Sequence, residues 1–342
     1  MKKYDTVVFI GRFQPLHTGH VKVIQTALSI SNQVIILIGS VNGPRTFKNP
    51  FTYEQRRDII SKTIRYSDRI IMKGLRDFKY NDNAWIQQVQ DFVSQKTNTY
   101  DDIAIIGYHK DDSSNYLDWF PQWEFVSVNV DENASVIDAT TVRNILFEDL
   151  NPGFFKGVLP QESYDFLLEF KKSDEYNRLK EEYDIVKAYK KSWEHAPYPP
   201  TFICTDAIVI CSGHVLMVKR GAQPGKGQWA LPGGFLDQNE RIKNGAIREL
   251  IEETQIDVPK KVLEGSIEKS AIFDHPGRSL RGRTVTHAFK INVGLSPKGK
   301  LPKVKGGDDA SDAKWISLNE LANIENEIYE DHYQIIQHMI GN

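Results

Sequence analysis

Cysteine is scarce: the 342 residues hold two, Cys204 and Cys211. They stand seven apart in what reads as a strand and its turn, and an odd spacing along a strand sends side chains to opposite faces. A disulfide or a shared metal is therefore disfavoured, and a reducing, cytoplasmic compartment fits best. Long apolar runs are lacking too. None approaches the ~20 residues of a membrane span, so no membrane partner is expected. The opening MKKYDTVVFIGRF has basic residues and then apolar ones, but the run is short and leads straight into a glycine turn, so it reads as structure and not as a signal peptide. Neither sign of charge dominates: 43 Lys and Arg against 45 Asp and Glu leave a net −2. That argues against a nucleic-acid binder relying on bulk electrostatics. No repeat or low-complexity tract interrupts a globular composition, 40% hydrophobic and 26% charged. The length exceeds one ordinary core and suits two domains with a connector. A homo-oligomer is compatible with these totals.

What is present begins with Gly11 to His20, GRFQPLHTGH. An apolar run of strand length, Thr6 to Ile10, precedes it, and apolar residues at helical spacing follow from Val21 to Ser31. Strand, glycine turn, helix is an order that aims the free N–H groups and positive dipole end of a helix start at whatever sits above the strand. His17 and His20 lie three apart around Gly19, so one turn can offer both imidazoles to one anion. A bare HxxH is more often a pair of capping or surface residues. The full stretch is more specific and closely resembles the HxGH signature of the nucleotidyltransferase superfamily, in the GRFQPxHxGH form of archaeal-type nicotinamide mononucleotide (NMN) adenylyltransferases.

That resemblance implies a Rossmann-like nucleotidyltransferase domain, a parallel sheet with flanking helices. It implies ATP and NMN contacts at Gly11, Arg12, Phe13 and Gln14, with His17 and His20 polarising the phosphates. The nearly continuous apolar run Gln33 to Ser40 suits a strand buried on both faces, and the strand, helix and strand form a right-handed βαβ unit. In the loop NGPRTFKNPFT, Arg45 and Lys48 are either phosphate ligands or solvated charges; the FKNPFT likeness favours Lys48. Asp82 to Val93 is amphipathic, with Trp85 on its apolar side. A tryptophan there is more often core, although the family stacks one on the nicotinamide ring. The strand Ile103 to Ile106 ends in Gly107 and leads to Lys110 and Asp112-Ser113-Ser114, resembling the family's GxxKDxSS. Ile137 to Arg143, IDATTVR, resembles its ISxTxxR signature, so Thr140 and Arg143 carry over as ATP-phosphate contacts. Asp138 stands where serine is usual, an unexpected carboxylate beside a triphosphate.

Leu159 to Glu169 reads as the closing helix of the first domain, and Ser173 to Glu194 as a charged helix. Pro197, Pro199 and Pro200 then make a stiff joint. The expected organisation is a nucleotidyltransferase domain over 1–172, a connector over 173–200 and a second domain over 201–342.

In that second domain Thr201–Ile210 and Val215–Lys219 read as a hairpin. Downstream come Gly234, Glu240, Arg248-Glu249-Leu250-Ile251-Glu252-Glu253 and Ile256. Glu249, Glu252 and Glu253 fall at i, i+3 and i+4, so a helix stacks three carboxylates on one face. Their repulsion is relieved by hard divalent cations, which lower the pKa of a water and screen a leaving phosphate. Arg248 can orient them by charge-assisted hydrogen bonds. These residues match the Nudix box, G-x5-E-x7-R-E-U-x-E-E-x-G-U, except that Gln255 replaces its second glycine. A non-glycine residue there costs on the order of 1 kcal/mol, or the turn changes shape. Beyond the box, DHPGRSLRGR carries Arg278, Arg281 and Arg283, which either hold a diphosphate or are solvated, before the strand Thr284–Ile291. The RGR-then-strand order resembles Nudix hydrolases acting on ADP-ribose, which implies ADP-ribose contacts at Gly234, Arg281 and Arg283. The acidic GGDDASD offers Asp308, Asp309 or Asp312 as general base, and a helix from Asn319 closes the domain.

Together the resemblances imply an α/β chain with an α+β Nudix domain, mixed sheets sandwiched by helices, behind the first domain. They imply two reactions: NMN plus ATP to NAD and pyrophosphate, and ADP-ribose to AMP and ribose 5-phosphate. The catalytic set would be His17, His20, Arg248, Glu252 and Glu253, with Glu249, Glu252 and Glu253 binding Mg2+ (or Mn2+) and a further Mg2+ accompanying ATP. Rival readings make the second domain a ligand sensor, change the acceptor to another phosphate such as a pantetheine or sugar phosphate, or change the nucleoside diphosphate hydrolysed. The sensor would need a basic winged-helix segment, which the sequence lacks.

Overall fold

The computed structural model describes residues 3–65, 67–108, 112–128, 138–150, 152–155, 157–296 and 298–341. The chain divides into two compact units, Met1–Glu181 and Glu182–Asn342.

Among the described residues of the first unit, β1 (Tyr4–Gly11), β2 (Ser31–Ile38), β3 (Ile70–Gly74), β4 (Ile103–Gly107) and β5 (Glu124–Ser127) run parallel in the order β3-β2-β1-β4-β5. Alternate strand residues feed two cores. Val7, Phe9, Val34 and Ile36 pack with Ile24 and Ala27 of α1 (Thr18–Ile30), close to α2 (Tyr53–Thr63). Val8, Ile10, Ile35 and Leu37 pack with Val89 and Val93 of α3 (Asp82–Ser94). A sheet covered on both faces is why its strands read as unbroken apolar runs. The strand order reverses at β1, which has β2 on one side and β4 on the other. Loops leaving the carboxyl ends of strands at such a reversal bound a crevice, and GRFQPLHTGH is the loop leaving β1. Helices α4 (Ala139–Phe147) and α5 (Gln161–Phe170) complete this unit, and α6 (Asp174–Ser192) runs across the division.

Helix α1 begins earlier than the sequence pattern suggests. Gly19 and His20 lie in its first turn and His17 is its N-cap. The surprise has a local cause: His17 N–H donates to His20 Nδ1 at 3.3 Å, a capping box built of histidines. Helix α2 starts conventionally, with Gln55 N–H donating to Thr52 Oγ1 and Thr52 N–H to Gln55 Oε1.

One side chain ties the loops together. The buried Arg56 guanidinium donates to Arg12 O (2.8 Å), Gly39 O (2.6 Å), Ser40 O (3.2 Å) and Thr52 O (3.1 Å). A lysine has one charge point and cannot fork to four carbonyls. Arg56→Lys is therefore expected to destabilise the first unit by about 3 kcal/mol, read as a lowered denaturant midpoint with unchanged m-value.

In the second unit the sheet order is β10-β11-β6-β7-β12, formed by β6 (Thr201–Cys211), β7 (His214–Arg220), β10 (Ile267–Phe273), β11 (Arg283–Asn292) and β12 (Ala310–Ser317). Short β8 (Trp229–Ala230) pairs with β7, and β9 (Gly233–Phe235) with β6. The sheet is mixed, with β11 parallel to β6 and the other pairs antiparallel. Positive φ at Ser212 (45°) and Gly213 (74°) gives the β6–β7 hairpin the tight turn its strand twist favours. Cys204 and Cys211 are free, buried and on β6.

Helix α7 (Ile242–Thr254) packs Ile247 and Leu250 on Ala207, Val209 and Leu216, with α8 (Lys260–Gly265) adding Leu263. The closing segment departs from expectation. Instead of one helix from Asn319, a 3-10 segment spans Leu321–Glu327 and α9 (His332–Ile340) follows. Between them Ile328 bridges Trp229, and Tyr329 N–H donates to Trp229 O at 2.8 Å, a pairing with β8 that interrupts the helix. Among the described residues no helix is long and apolar enough to cross a membrane.

Candidate functional site

The first site grows from the loop after β1. Phe13 adopts φ 51° and folds its ring back over Gly11, where a Cβ would lie 3.0 Å from that ring. Phe13 is 1% exposed, edge-on to Phe9 at 5.4 Å, and lies beneath the His20 ring at 4.8 Å. Gln14 is also buried, and it trades hydrogen bonds with Phe51 through Nε2→O and N→Oε1, both 3.0 Å. Gly11, Phe13 and Gln14 thus form the frame. The carbonyls of Arg12 and Gln14 face inward to two arginines, Arg56 and Arg143, the latter donating to Gln14 O at 2.7 Å. Drawing carbonyl oxygens away from a site leaves it electropositive. The exposed Arg12 rests its stem along Gly39 and adds its own charge.

His17 and His20 stack, ring centroids 3.6 Å apart. Burial, reinforced by His17, holds the His20 imidazole well below its ordinary value, so it is neutral. Because Nδ1 accepts from His17 N–H, the ring proton sits on Nε2 as a donor.

Asp138 finds its explanation here. It is the N-cap of α4, accepting from Thr141 N (2.8 Å) and Thr141 Oγ1 (3.0 Å), a position aspartate and serine fill equally well. Arg143 also reaches Thr140 Oγ1 at 3.1 Å, and burial, aided by Arg12, pushes its guanidinium down to about 10. Arg143 therefore lies under the loop.

Lys48 lies at the tip of a turn closed by Thr46 and Asn49. Arg45 is occupied elsewhere, on Pro50 O (2.6 Å) and Glu175 (3.3 Å). Gly107 lets Leu117 approach, since a Cβ would sit 3.0 Å from its methyl groups. Trp85 is walled by Tyr116 (5.8 Å), Trp119 (5.9 Å) and Phe120 (6.1 Å). Lys110 lies outside the described residues. The sequence reading missed Arg56 and Tyr116, whose hydroxyl donates to Ile10 O at 3.0 Å.

The second site lies on α7. Arg248 forks onto Glu240 at 2.6 and 3.2 Å and spans to Glu249 and Glu252, both 2.9 Å, which holds the guanidinium above its ordinary value. Glu253 turns the other way and accepts from Gly233 N at 3.0 Å. The three carboxylates share the helix face but do not yet converge. Among the described residues, no three carboxylate, imidazole or thiol groups are placed to hold one ion.

The donor set nonetheless fits a hard divalent cation. Burial, with Glu249 and Asp206 adding repulsion, pushes the Glu253 carboxyl up to about 8, and Glu249 is raised chiefly by burial. Carboxylate oxygens crowded and buried in this way suit a hard cation. Gly234 opens directly onto them, for a Cβ there would sit 2.5 Å from Glu249 Oε1.

Gln255 takes the left-handed conformation itself, φ 43° and ψ 37°, so the turn keeps its shape. Of the acidic candidates, Asp308 is the one whose charge bears on Glu249. Asp312 Oδ1 accepts from Ala313 N–H, and Asp309 O from Gly221 N–H.

The three loop arginines separate. Arg281 lies over the Phe235 ring at 4.6 Å, beside Gly234. Arg283 bonds Asp274 O and pairs with its carboxylate. Arg278 is buried and forks onto Asp331, both bonds 3.0 Å, with Thr286 Oγ1 at 2.7 Å. It holds the loop to the start of α9.

Sequence reasoning also missed Asp206. It is buried, one oxygen lacks a partner among the described residues, and burial pushes it up to about 7. A lone carboxylate inside the apolar strand CTDAIVIC was the available signal.

His332, at the start of α9, is buried and accepts from Leu231 N at Nδ1, and burial holds it at about 3. The folded state refuses a proton that the unfolded chain takes below 6.5, so its contribution is complete above that pH and lost as pH falls. His332→Asn keeps an acceptor. Its stability deficit against the parent should shrink by about 1.4 kcal/mol for each pH unit below about 6.5, measured as denaturant unfolding of the second unit.

Comparisons agree with the two-part geometry. Residues 8–145 match a cytidylyltransferase-like family model and residues 203–339 a NUDIX domain model. The nicotinamide/nicotinic acid mononucleotide adenylyltransferase of Acinetobacter baylyi is 37% identical over 54% of this chain and 95% of that protein. The ADP-ribose pyrophosphatase of Methanocaldococcus jannaschii is 34% identical over 40% of this chain and 70% of that protein. The crystal structure of a bifunctional NMN adenylyltransferase/ADP-ribose pyrophosphatase from Francisella tularensis superposes with TM-score 0.92 at 38% identity, covering 98% of both chains. A second structure of that Francisella protein, complexed with AMP and a Mn ion, gives 0.89 at 37%.

Proposed function

We propose that this chain, which belongs to the family of bifunctional NMN adenylyltransferase/ADP-ribose pyrophosphatases, joins NMN to ATP at the β1 loop and hydrolyses ADP-ribose at α7. The observation that carries the reading is that one likeness runs the length of the chain, so both sites belong to a single protein of that type.

At the first site an oxygen of the NMN phosphate attacks the α-phosphorus of ATP. The bond to the β-phosphate breaks, giving NAD and pyrophosphate. No covalent enzyme intermediate is needed, so catalysis is a matter of alignment and charge. His17 and His20 donate to phosphate oxygens, the neutral His20 through Nε2–H. Arg12, Lys48 and Lys110 add charge, Thr140 and Arg143 complete the ATP-phosphate contacts, and Trp85 takes the nicotinamide ring.

At the second site Glu249, Glu252 and Glu253 would hold Mg2+ or Mn2+, which when bound activates water and screens the diphosphate. Arg248 orients Glu249 and Glu252, and Asp308 is the residue we assign to take the proton from water. Arg281 over Phe235, with Gly234 and Arg283, receives ADP-ribose.

Mg2+ with ATP at the first site, the bounds 1–172, 173–200 and 201–342, and cytoplasmic residence belong to the same proposal, the last supported by two buried free thiols. Incubation with magnesium and either NMN plus ATP or ADP-ribose, followed by product chromatography, tests it. NAD in the first mixture and AMP with ribose 5-phosphate in the second are expected. Absence of either product removes that half.

A further inference from the structure

We infer that Gln255, where the chain departs from the box pattern, is a positioning residue: its side chain braces Gly307 and so fixes where Asp308 stands on the hydrolytic site. The inference rests on the hydrolase reading above and concerns a residue outside the set assigned there to nucleotide and ion.

Three observations carry it. The acidic loop is pinned to the last turn of α7 by its backbone, Lys305 N donating to Thr254 O at 2.8 Å and Gly307 N to Glu253 O at 3.0 Å. Those carbonyls have no partner within the helix, so the loop serves as the helix's cap. Gly307 is also seated so closely that a Cβ on it would lie 2.5 Å from Glu252 O and 2.8 Å from Gln255 Nε2. The glutamine amide closes the space against the glycine. Finally, Asp308 follows directly, at φ 47°, and its charge bears on Glu249.

A glycine at 255 would adopt the left-handed turn more easily. It would also remove the only side-chain atoms that lie within 4 Å of where Gly307 would carry a Cβ, among its three nearest contacts. Gly307 would then keep its main-chain bond to α7 but lose that side-chain brace, and segments so loosened open locally at lower cost. The strained glutamine thus trades backbone ease for a fixed Asp308. Misplacing a reacting group lowers turnover more than it alters binding. Because Phe235 and Arg281, assigned to the nucleotide, lie elsewhere, the effect belongs in kcat.

The test uses the full chain with Gln255→Gly and Gln255→Met, the latter keeping side-chain length. We expect Gln255→Gly to unfold no earlier than the parent and to make NAD at the parental rate. Its kcat for ADP-ribose should drop about tenfold, with KM within about twofold. Amide exchange at Lys305 and Gly307 should quicken about tenfold, and Gln255→Met should restore most of both. Parental kcat, or parental exchange, in Gln255→Gly overturns the inference. A parent inactive on ADP-ribose would instead overturn the hydrolase reading, and exchange would still decide whether Gln255 holds the loop.

Discussion

Replacing His17 with asparagine is expected to lower NAD formation by about three orders of magnitude while leaving ADP-ribose hydrolysis at the parental rate. The choice of asparagine separates two roles the histidine holds at once. His17 is the N-cap of α1, and asparagine is among the best residues at that position. Even outright loss of a cap costs only about 1 kcal/mol, roughly fivefold in an equilibrium. A thousandfold loss of rate needs about 4 kcal/mol, the range of one preorganised donor to a developing oxyanion. Steady-state kinetics of both reactions beside a thermal unfolding curve decide the matter. Unchanged unfolding with near-parental NAD formation would reduce His17 to a cap.

Glu253→Gln should abolish most hydrolysis, by about three orders of magnitude, and leave NAD formation intact. Glutamine keeps the shape and an oxygen for Gly233 N–H, so the fold stays and the charge goes. A carboxyl raised to about 8 in the folded state binds its proton more tightly than the unfolded chain does. Its stabilising share is therefore full below about 4.5 and is lost progressively as pH rises to about 8. The glutamine variant should lack that decline. In the parent, millimolar magnesium at alkaline pH should raise the unfolding temperature of the second unit, since a ligand that binds only the folded state stabilises it. In Glu253→Gln the rise should shrink or vanish. An equal rise in both proteins would take Glu253 out of the cation site.

The sequence exposed whatever depends on short-range spacing. The carboxylate series of α7 follows from the helical repeat, and the strand, turn and helix at Gly11 to His20 follow from apolar runs and a glycine. It concealed what depends on long-range closure. Arg56 stands more than forty residues from Arg12 yet bonds its carbonyl, and nothing local marks it as different from Arg57, which reaches the Tyr53 ring instead. Arg278, Arg281 and Arg283 look alike in the chain, and only their contacts, Arg278 buried on Asp331, Arg281 over Phe235 and the more exposed Arg283 on Asp274, tell a strut from a ligand candidate. Asp138 reads as an unexpected carboxylate near phosphate because the sequence shows a residue type but not that its oxygens face Thr141. The start of α1 stays hidden because histidines are not the usual capping pair.

The inward turn of the Arg12 and Gln14 carbonyls bears on redesign. A ten-residue graft of GRFQPLHTGH into a foreign scaffold would carry the imidazoles without the two distant guanidinium groups that keep the peptide oxygens out of the way. The transplanted loop would be free to roll, present oxygen where an anion must rest, and repel the very group it was borrowed to hold. The portable unit is the decapeptide together with Arg56 and Arg143, three pieces of chain that have to be moved as one.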